Sequence, residues 1–337
     1  MTTVEPRSSN ESRLAQLAAS GCFSRAVAVA ARLGLADLAA DTPRSPAYLA
    51  EHTGTDTGTL TLLLRTLALQ GVFTETESGA FLLGDGFGQL RAGHPYSLRN
   101  FVILTAETYD DAFGALLHTV RSGKSGFREV FGTSFYDHLA ENPDTERVFD
   151  EAMAELARPV ADALVTVHDF SQVRTVVDVG GGAGALLSAL LGVHPHLSGV
   201  CVDRPSVCDR ARDTPRDPRL AGRLSFHASD IFREVPPGGD RYLIKNVLHD
   251  WSFESCLALL GAVRTAMTGT DARLLIVEPF FEAATDAPHA LFQMVVCEDG
   301  TRGLAEADFH RLLTAARFTV RSVTRMSGGH NVFECAL

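Results

Sequence analysis

Through the first half of the chain, apolar residues recur at helical spacing. In "FSRAVAVAARLGLADLAA", residues 23–40, Phe23, Val27, Ala31 and Leu35 fall on one face. So little charge accompanies them that most of the helix circumference requires burial. The next segment, "SPAYLAEHTGTDTGTLTLLLRTLALQGVFTETESGAFLLG", predicts a helix from Ser45, a turn at Gly54 and a second helix through Leu69. A hairpin then follows around Glu77–Gly79. Helix, turn, helix and hairpin form a winged-helix pattern. Helices continue over 101–165. An Asn-Pro break in "HLAENPDTERVFDEAMAELARPVADALVTV" precedes a long amphipathic helix with Phe149, Met153, Leu156 and Val160 on one face.

From Thr175 the period changes. Short β-branched runs ("TVVDVG", "GVCVD", "LSFHAS", "RYLIKNV", "RLLIVEPF") alternate with helical stretches near 184–192, 206–212, 252–267 and 305–316. Apolar strands separated by helices predict a parallel, doubly wound sheet. The last two strands, "FTVRSVTRM" and "HNVFECAL", are joined only by "SGGH", too short for a helical crossover, so they close the sheet as an antiparallel hairpin. The expected fold is α/β, with a Rossmann-like doubly wound sheet and an N-terminal, mostly helical, winged-helix-like domain. Three segments follow: 1–100, a helical connection over 101–170, and a ligand-binding domain over 171–337. A sheet of this kind binds its ligand at the carboxyl ends of the strands, at the switch point.

Composition narrows the partners. In 337 residues, 41 Asp and Glu face 30 Lys and Arg, a formal charge of −11. Nucleic acid and anionic membrane surfaces are therefore poor partners. The second helix of the winged segment carries Arg65 as its only charge, which suits packing or dimerisation and not base reading. The N-terminus reads as no signal peptide, and no apolar run is long enough to span a bilayer. Cys22, Cys201, Cys208, Cys256, Cys297 and Cys335 contain no C-x-x-C pair, which fits reduced thiols in a cytoplasmic protein. His194 and His196 flank Pro195 and do not make a convincing metal pair, so no metal site is expected.

The candidate chemistry starts at "VVDVGGGAGALL", residues 176–187, a glycine loop between the first strand of the sheet and a helix. Gly180, Gly182 and Gly184 permit a tight turn and close approach of a ligand. Gly180, Gly182 and Ala185 also fit the dinucleotide fingerprint G-x-G-x-x-G/A, and an acid about 20 residues on, Asp203, suits ribose hydroxyls in either case. Two features favour a cationic nucleoside over a dinucleotide. Asp178, two residues before the loop, repels a pyrophosphate but suits an ammonium or sulfonium. Asp230, after the third strand of the sheet, adds an acid at the same edge, within reach of an adenine amino group. Helix capping by each acid is the alternative.

Together "VVDVGGGAG", "VDRPSV", "SDIF", "LIKNVLHDW" and "IVEPF" resemble the ordered motifs of the small-molecule SAM-dependent O-methyltransferases. That family includes plant caffeate-type enzymes and bacterial natural-product tailoring enzymes, and the resemblance covers nearly the whole chain. It implies a class I methyltransferase fold, an N-terminal dimerisation domain forming a homodimer, and S-adenosyl-L-methionine (SAM) as cofactor, with S-adenosyl-L-homocysteine as product. By position, Gly180 and its neighbours would line the methionine part of SAM and Asp203 would hold the ribose. Asp230 and Ile231 would frame the adenine, and Lys245 would lie beside the cofactor.

The resemblance also makes His249 of "LHDW" the general base, with Glu278 orienting it. A phenol titrates near 10 and an imidazole near 6.5, so proton removal must accompany attack. Asp250 reads as a cap for the following helix. Phe149, Met153, Phe292 and Met294 are candidate walls of an aromatic acceptor pocket. One departure stands out. Family members often carry a second acid in a segment like "GGRERTE"; here the match is "GTRGLAE", with Gly303 at the acid's position and Glu298 or Glu306 as possible substitutes. The expected reaction is methyl transfer to a hydroxyl of an aromatic or polyketide-type small molecule in secondary metabolism. N-methylation, or a non-methylating reaction (hydroxylation, decarboxylation or pericyclic ring closure) on the same scaffold, is the alternative, and a DNA-binding regulator or an NAD enzyme stands further off.

Overall fold

A computed structural model describes residues 9–214 and 217–337. The chain divides into two compact units, residues 1–110 and 111–337.

In the first unit, helices Ser20–Arg32, Pro46–Thr53 and Thr57–Ala68 precede a small antiparallel pair, β1 (Phe73–Glu75) and β2 (Phe81–Leu83). Ser45 and Asp56 start the second and third of these helices. The Ser45 hydroxyl accepts from the Tyr48 amide at 3.2 Å, and the Asp56 carboxylate accepts from the Thr59 amide at 2.7 Å. Leu49, Leu64, Leu67, Phe73 and Phe81 are fully buried where the helices meet the hairpin. The winged-helix pattern is therefore realised. Its one recognition-helix charge, Arg65, pairs with Glu75 of β1 at 2.8 Å.

In the second unit, a seven-stranded sheet runs in the order β5-β4-β3-β6-β7-β9-β8. Its strands are β3 (Thr175–Val179), β4 (Ser198–Asp203), β5 (Leu224–Ala228), β6 (Arg241–Lys245), β7 (Arg273–Pro279), β8 (Thr319–Arg325) and β9 (His330–Ala336). The first five are parallel, and β9 pairs antiparallel with both β7 and β8. Strand order reverses between β3 and β6, which fixes the switch point there.

Alternation along the strands builds a core on each face. Leu274 and Ile276 of β7 pack with Leu259, Val263 and Phe309 from helices Phe253–Met267 and Glu306–Ala315. Leu275 and Val277 face the other way, onto Leu186, Leu190 and Leu164 from helices Ala185–Val193 and Pro143–Val167. Truncating such a side chain to Ala costs about 2–5 kcal/mol. The apolar stripe expected on helix 143–167 is displaced. Its buried face runs through Val148, Ala152, Ala157, Val160 and Leu164, which leaves Phe149, Met153 and Leu156 half-buried.

Candidate active site

At the carboxyl end of β6 the chain turns sharply. Asn246 has φ +53°, and its side-chain oxygen accepts from His330 Nε2 at 2.8 Å. A single 3₁₀ turn, Leu248–Asp250, then presents His249. Glu278, fully buried at the end of β7, holds this turn from below. Its Oε1 accepts the amides of Val247 and Leu248 at 2.8 and 2.9 Å, and its Oε2 accepts from His249 Nδ1 at 2.6 Å. Nε2 is therefore the nitrogen left for a reacting group. Burial opposes charge on the imidazole, but Glu278 and then Asp250 outweigh it and push His249 up to about 9. Burial likewise acts to raise Glu278, yet His249 and the two amides hold it below the ordinary range.

Asp250 does not cap the next helix. Ser252 does, accepting from the Ser255 amide at 3.2 Å. The Asp250 carboxylate instead turns into the site. It accepts from the Tyr136 hydroxyl at 2.6 Å and the Cys297 thiol at 3.1 Å, and its Oδ1 lies 3.4 Å from His249 Nε2. Burial, reinforced by this carboxylate, pushes the Cys297 thiol well above its usual range. Tyr136 stacks on Trp251 with centroids 5.1 Å apart, and Phe149 meets Tyr136 edge-on at 6.1 Å. On the other side, His289 lies 6.1 Å from the His249 ring and 6.1 Å from Phe292. Of the candidate pocket residues, Phe149 and Phe292 are thus joined to the Leu248–Asp250 turn through one intermediate ring each. Met153 and Met294 are half-buried.

The glycine loop lies at the end of β3. Gly180 has φ +73°, and a Cβ there would stand 2.9 Å from Val247, so the loop packs directly against the segment that leads into the His249 turn. A Cβ at Gly182 would meet nothing within 4 Å, so this face of the loop is open. The Gly182 amide donates to Asp203 Oδ2 at 2.8 Å, and the Arg204 amide donates to Asp203 Oδ1 at 2.8 Å. Asp178, the penultimate residue of β3, is 1% exposed beneath the loop, and its Oδ2 is buried with no hydrogen-bond partner among the described residues. Burial pushes this carboxyl up to about 7, against the pull of Lys245. Lys245, in turn, is lowered by burial against the pull of Glu278, Asp178 and Asp250. Asp230 is exposed at the edge, accepting from the Phe232 amide at 3.1 Å, with Ile231 half-buried beside it.

Sequence reasoning misses the charged cluster behind this edge. Glu146, 1% exposed on helix 143–167, accepts from Arg210 Nη1 at 2.5 Å and Ser206 Oγ at 3.1 Å, with Arg204 at 3.2 Å. Asp150 accepts from Arg210 Nη2 at 2.6 Å. Arg204 also donates to the Tyr136 carbonyl at 2.9 Å, which links Asp203 to the aromatic wall. The signals in the sequence are Arg204 beside Asp203, Arg210 seven residues after that acid, and two acids four apart on a helix. His196 Nε2 donates to the Phe170 carbonyl at 3.0 Å, and no group of three or more His, Cys, Asp or Glu side chains that could hold a metal ion occurs among the described residues.

These residues fit SAM. An orphaned buried carboxylate under an open glycine loop, with a second acid tied to that loop, suits a small cation bearing hydroxyls better than a diphosphate.

Comparison with known proteins agrees. Residues 15–89 match the O-methyltransferase dimerisation domain, and residues 113–319 match the O-methyltransferase domain. The chain is 37% identical over 314 residues to a phenazine O-methyltransferase of Lysobacter antibioticus, covering 91% of this chain and 90% of that one. It is 34% identical to the O-methyltransferase SfmM3 of Streptomyces lavendulae (92% and 96% covered). It is also 33% identical to an 8-amino-8-demethylriboflavin N,N-dimethyltransferase of Streptomyces davaonensis (90% and 89%). Among solved structures, LaPhzM superposes with TM-score 0.88 at 36% identity (96% and 98% covered). NcsB1 from neocarzinostatin biosynthesis, solved with SAM and 2-hydroxy-5-methyl naphthoic acid, gives 0.78 at 30% (93% and 95%). The chain belongs to the SAM-dependent O-methyltransferase family.

Proposed function

We propose that this enzyme methylates a hydroxyl on a flat aromatic small molecule of secondary metabolism, with His249 as general base and Glu278 as the group that orients it. The carrying observation is the 2.6 Å bond from His249 Nδ1 to Glu278 Oε2, which leaves Nε2 as acceptor at the carboxyl edge of the sheet. SAM, when bound, supplies an electrophilic methyl group on a sulfonium. Asp178, the Gly180–Gly184 loop, Asp203, Asp230, Ile231 and Lys245 are the residues proposed to hold it. Nε2 accepts the hydroxyl proton as the oxygen attacks, and Glu278 takes up the resulting imidazolium charge through Nδ1–H. Base assistance of this kind is worth about 10²–10⁴-fold. Phe149, Trp251 and Phe292 are the rings suited to a planar acceptor, together with Met153 and Met294.

An amine acceptor would meet the same residues, and the riboflavin-type N,N-dimethyltransferase among the relatives keeps N-methylation as the second reading. A homodimer is proposed through the first unit, whose Leu62 and Leu69 are 66% and 79% exposed within the segment that matches the dimerisation domain. A cytoplasmic location is proposed from the reduced cysteines. Among the described residues no helix is long and apolar enough to cross a membrane.

The test is transfer of label from methyl-labelled SAM to a panel of naphthols, phenazinols and aminophenols. His249→Ala should abolish transfer while binding of S-adenosylhomocysteine persists. Retained turnover in that variant removes the base from the mechanism.

A further inference from the structure

The segment Gly300–Glu306, where the family resemblance puts a second acid, has no room for one at Gly303. Gly303 has φ +73°, and a Cβ would stand 2.6 Å from the Phe281 ring, so no acidic side chain fits at that position. The neighbouring acids are engaged elsewhere. Glu298 accepts from the Ser252 amide at 2.6 Å and from the Ser255 hydroxyl at 3.1 Å, fixing the start of helix 253–267. Asp299 accepts from the Ser125 amide at 2.7 Å. Glu306 lies 3.8 Å from His310, one turn along its own helix.

We infer that Asp250 is the second carboxylate of the base: a positioning residue held against the Nε2 side of His249 by the Tyr136 hydroxyl and the Cys297 thiol. The inference rests on His249 being the base. Three observations carry it. Oδ1 lies 3.4 Å from Nε2, the nitrogen that Glu278 leaves available. Oδ2 is fixed by Tyr136 at 2.6 Å, and Tyr136 is itself stacked on Trp251. The capping duty that would otherwise explain an acid after His249 belongs to Ser252.

The consequence is an imidazole with a carboxylate at each nitrogen. As the acceptor O–H bond breaks and the Nε2–H bond forms, the new positive charge is shared between Glu278 and Asp250. Other groups also face the ring: Lys245 from β6, His289 from helix Ala287–Val296 and His330 from β9. Lys245 opposes the imidazolium, and His330 is pushed down to about 4 by burial first, so it stays neutral. Asp250 is therefore the group whose removal shifts the balance without disturbing the Glu278 bond.

The experiment is titration of the histidine rings by nitrogen NMR on imidazole-labelled full-length protein with S-adenosylhomocysteine bound. His249→Gln assigns the signal, and Asp250→Asn and Asp250→Ser are compared with wild type. Both Asp250 variants should lower the His249 titration by about one unit or more, a tenfold loss of proton affinity. The variants should stay folded and bind S-adenosylhomocysteine, with a melting temperature lowered by the weaker proton binding and by the loss of the acceptor for Tyr136 and Cys297, and the acid limb of kcat/KM should move by the same amount as the titration. An unmoved titration in folded, ligand-binding variants overturns the inference, because a merely structural Asp250 would change melting temperature and not the ring. Failure of the underlying reading looks different: His249→Ala would still transfer methyl groups.

Discussion

Glu278 binds His249 and the backbone that carries it with one carboxylate, Oε2 on Nδ1 at 2.6 Å and Oε1 on the amides of Val247 and Leu248. This dictates what Glu278→Gln does. The amide oxygen must stay on the two backbone donors, so the amide NH₂ faces Nδ1. Nδ1 then becomes an acceptor and the proton moves to Nε2, the wrong tautomer for a base. kcat should fall about 10²–10⁴-fold with S-adenosylhomocysteine affinity nearly unchanged. Steady-state kinetics beside calorimetry checks this; a kcat within tenfold of wild type would contradict the tautomer argument.

The pH dependence has a definite sign. With His249 pushed up to about 9, the free enzyme holds the ring protonated at neutral pH. kcat/KM should rise with pH, about tenfold per unit, and level off near 9. In stability the same shift acts oppositely. The folded value lies above the ordinary imidazole value of 6.5, so the contribution of the His249–Glu278 pair is complete below about 6.5 and is lost as pH rises through about 9. Rate profiles and melting curves over pH 6–10 should therefore run in opposite directions.

Asp178 should trade stability for binding. Its carboxyl, pushed up to about 7 by burial, binds its proton more tightly in the folded chain than the ordinary 3.8. Folding is thus penalised as pH rises from about 4 to about 7, and fully above that. Asp178→Asn removes the charge. At pH 8 the ligand-free protein should be more stable by about 1–3 kcal/mol, with the gain vanishing below pH 4. S-adenosylhomocysteine should bind at least about tenfold more weakly. Melting curves and calorimetry on the same samples decide it.

The doubly wound sheet is legible because its strands are short, β-branched and separated by helical stretches, and all seven of its strands fall within about two residues of where the alternation puts them. Strand-end acids are less legible, because direction is not a local property. Asp178 lies under the loop since Gly181 has no Cβ to displace its carboxylate; one there would stand 2.6 Å from Oδ2. Asp250 looks like a cap because it precedes a helix, but Ser252, two residues on, is better placed. Glu146 carries only the faint signal of an acid four residues before Asp150. Its partners are 58 to 64 residues away, and each alone resembles a solvated surface charge.

Gly303 tests the altered loop. Gly303→Ala must adopt φ +73° with its Cβ 2.6 Å from Phe281. The left-handed conformation alone costs about 1 kcal/mol, and displacing a ring adds to it, so a loss of about 1–3 kcal/mol is expected. Gly303→Glu, which places an acid where the sequence resemblance puts one, should be no less destabilised and should gain no activity, since the loop has no space for the chain. A Gly303→Glu enzyme faster than wild type would show that Phe281 yields and that the missing acid limits the rate.

The cluster around Glu146 ties the Asp203 edge of the sheet, proposed to hold the cofactor, to the Tyr136 segment. Glu146 pairs with Arg210 and Arg204, and Arg204 both follows Asp203 and donates to the Tyr136 carbonyl. Breaking a fully buried pair by removing one partner costs about 3–5 kcal/mol, but Arg204 and Arg210 are about a third exposed (30% and 31%), and water recovers part of the loss. Glu146→Ala should therefore cost about 2–3 kcal/mol in urea denaturation. It leaves Asp150 as the remaining carboxylate on Arg210. That group, pushed up to about 6 by burial first, loses the repulsion of Glu146 and should titrate lower. Arg204, freed of Glu146, no longer fixes the backbone on either side of it, so S-adenosylhomocysteine affinity should fall together with stability. If stability drops while affinity holds, the cluster supports the helix packing alone, and the route from Asp203 to Tyr136 carries no weight in binding.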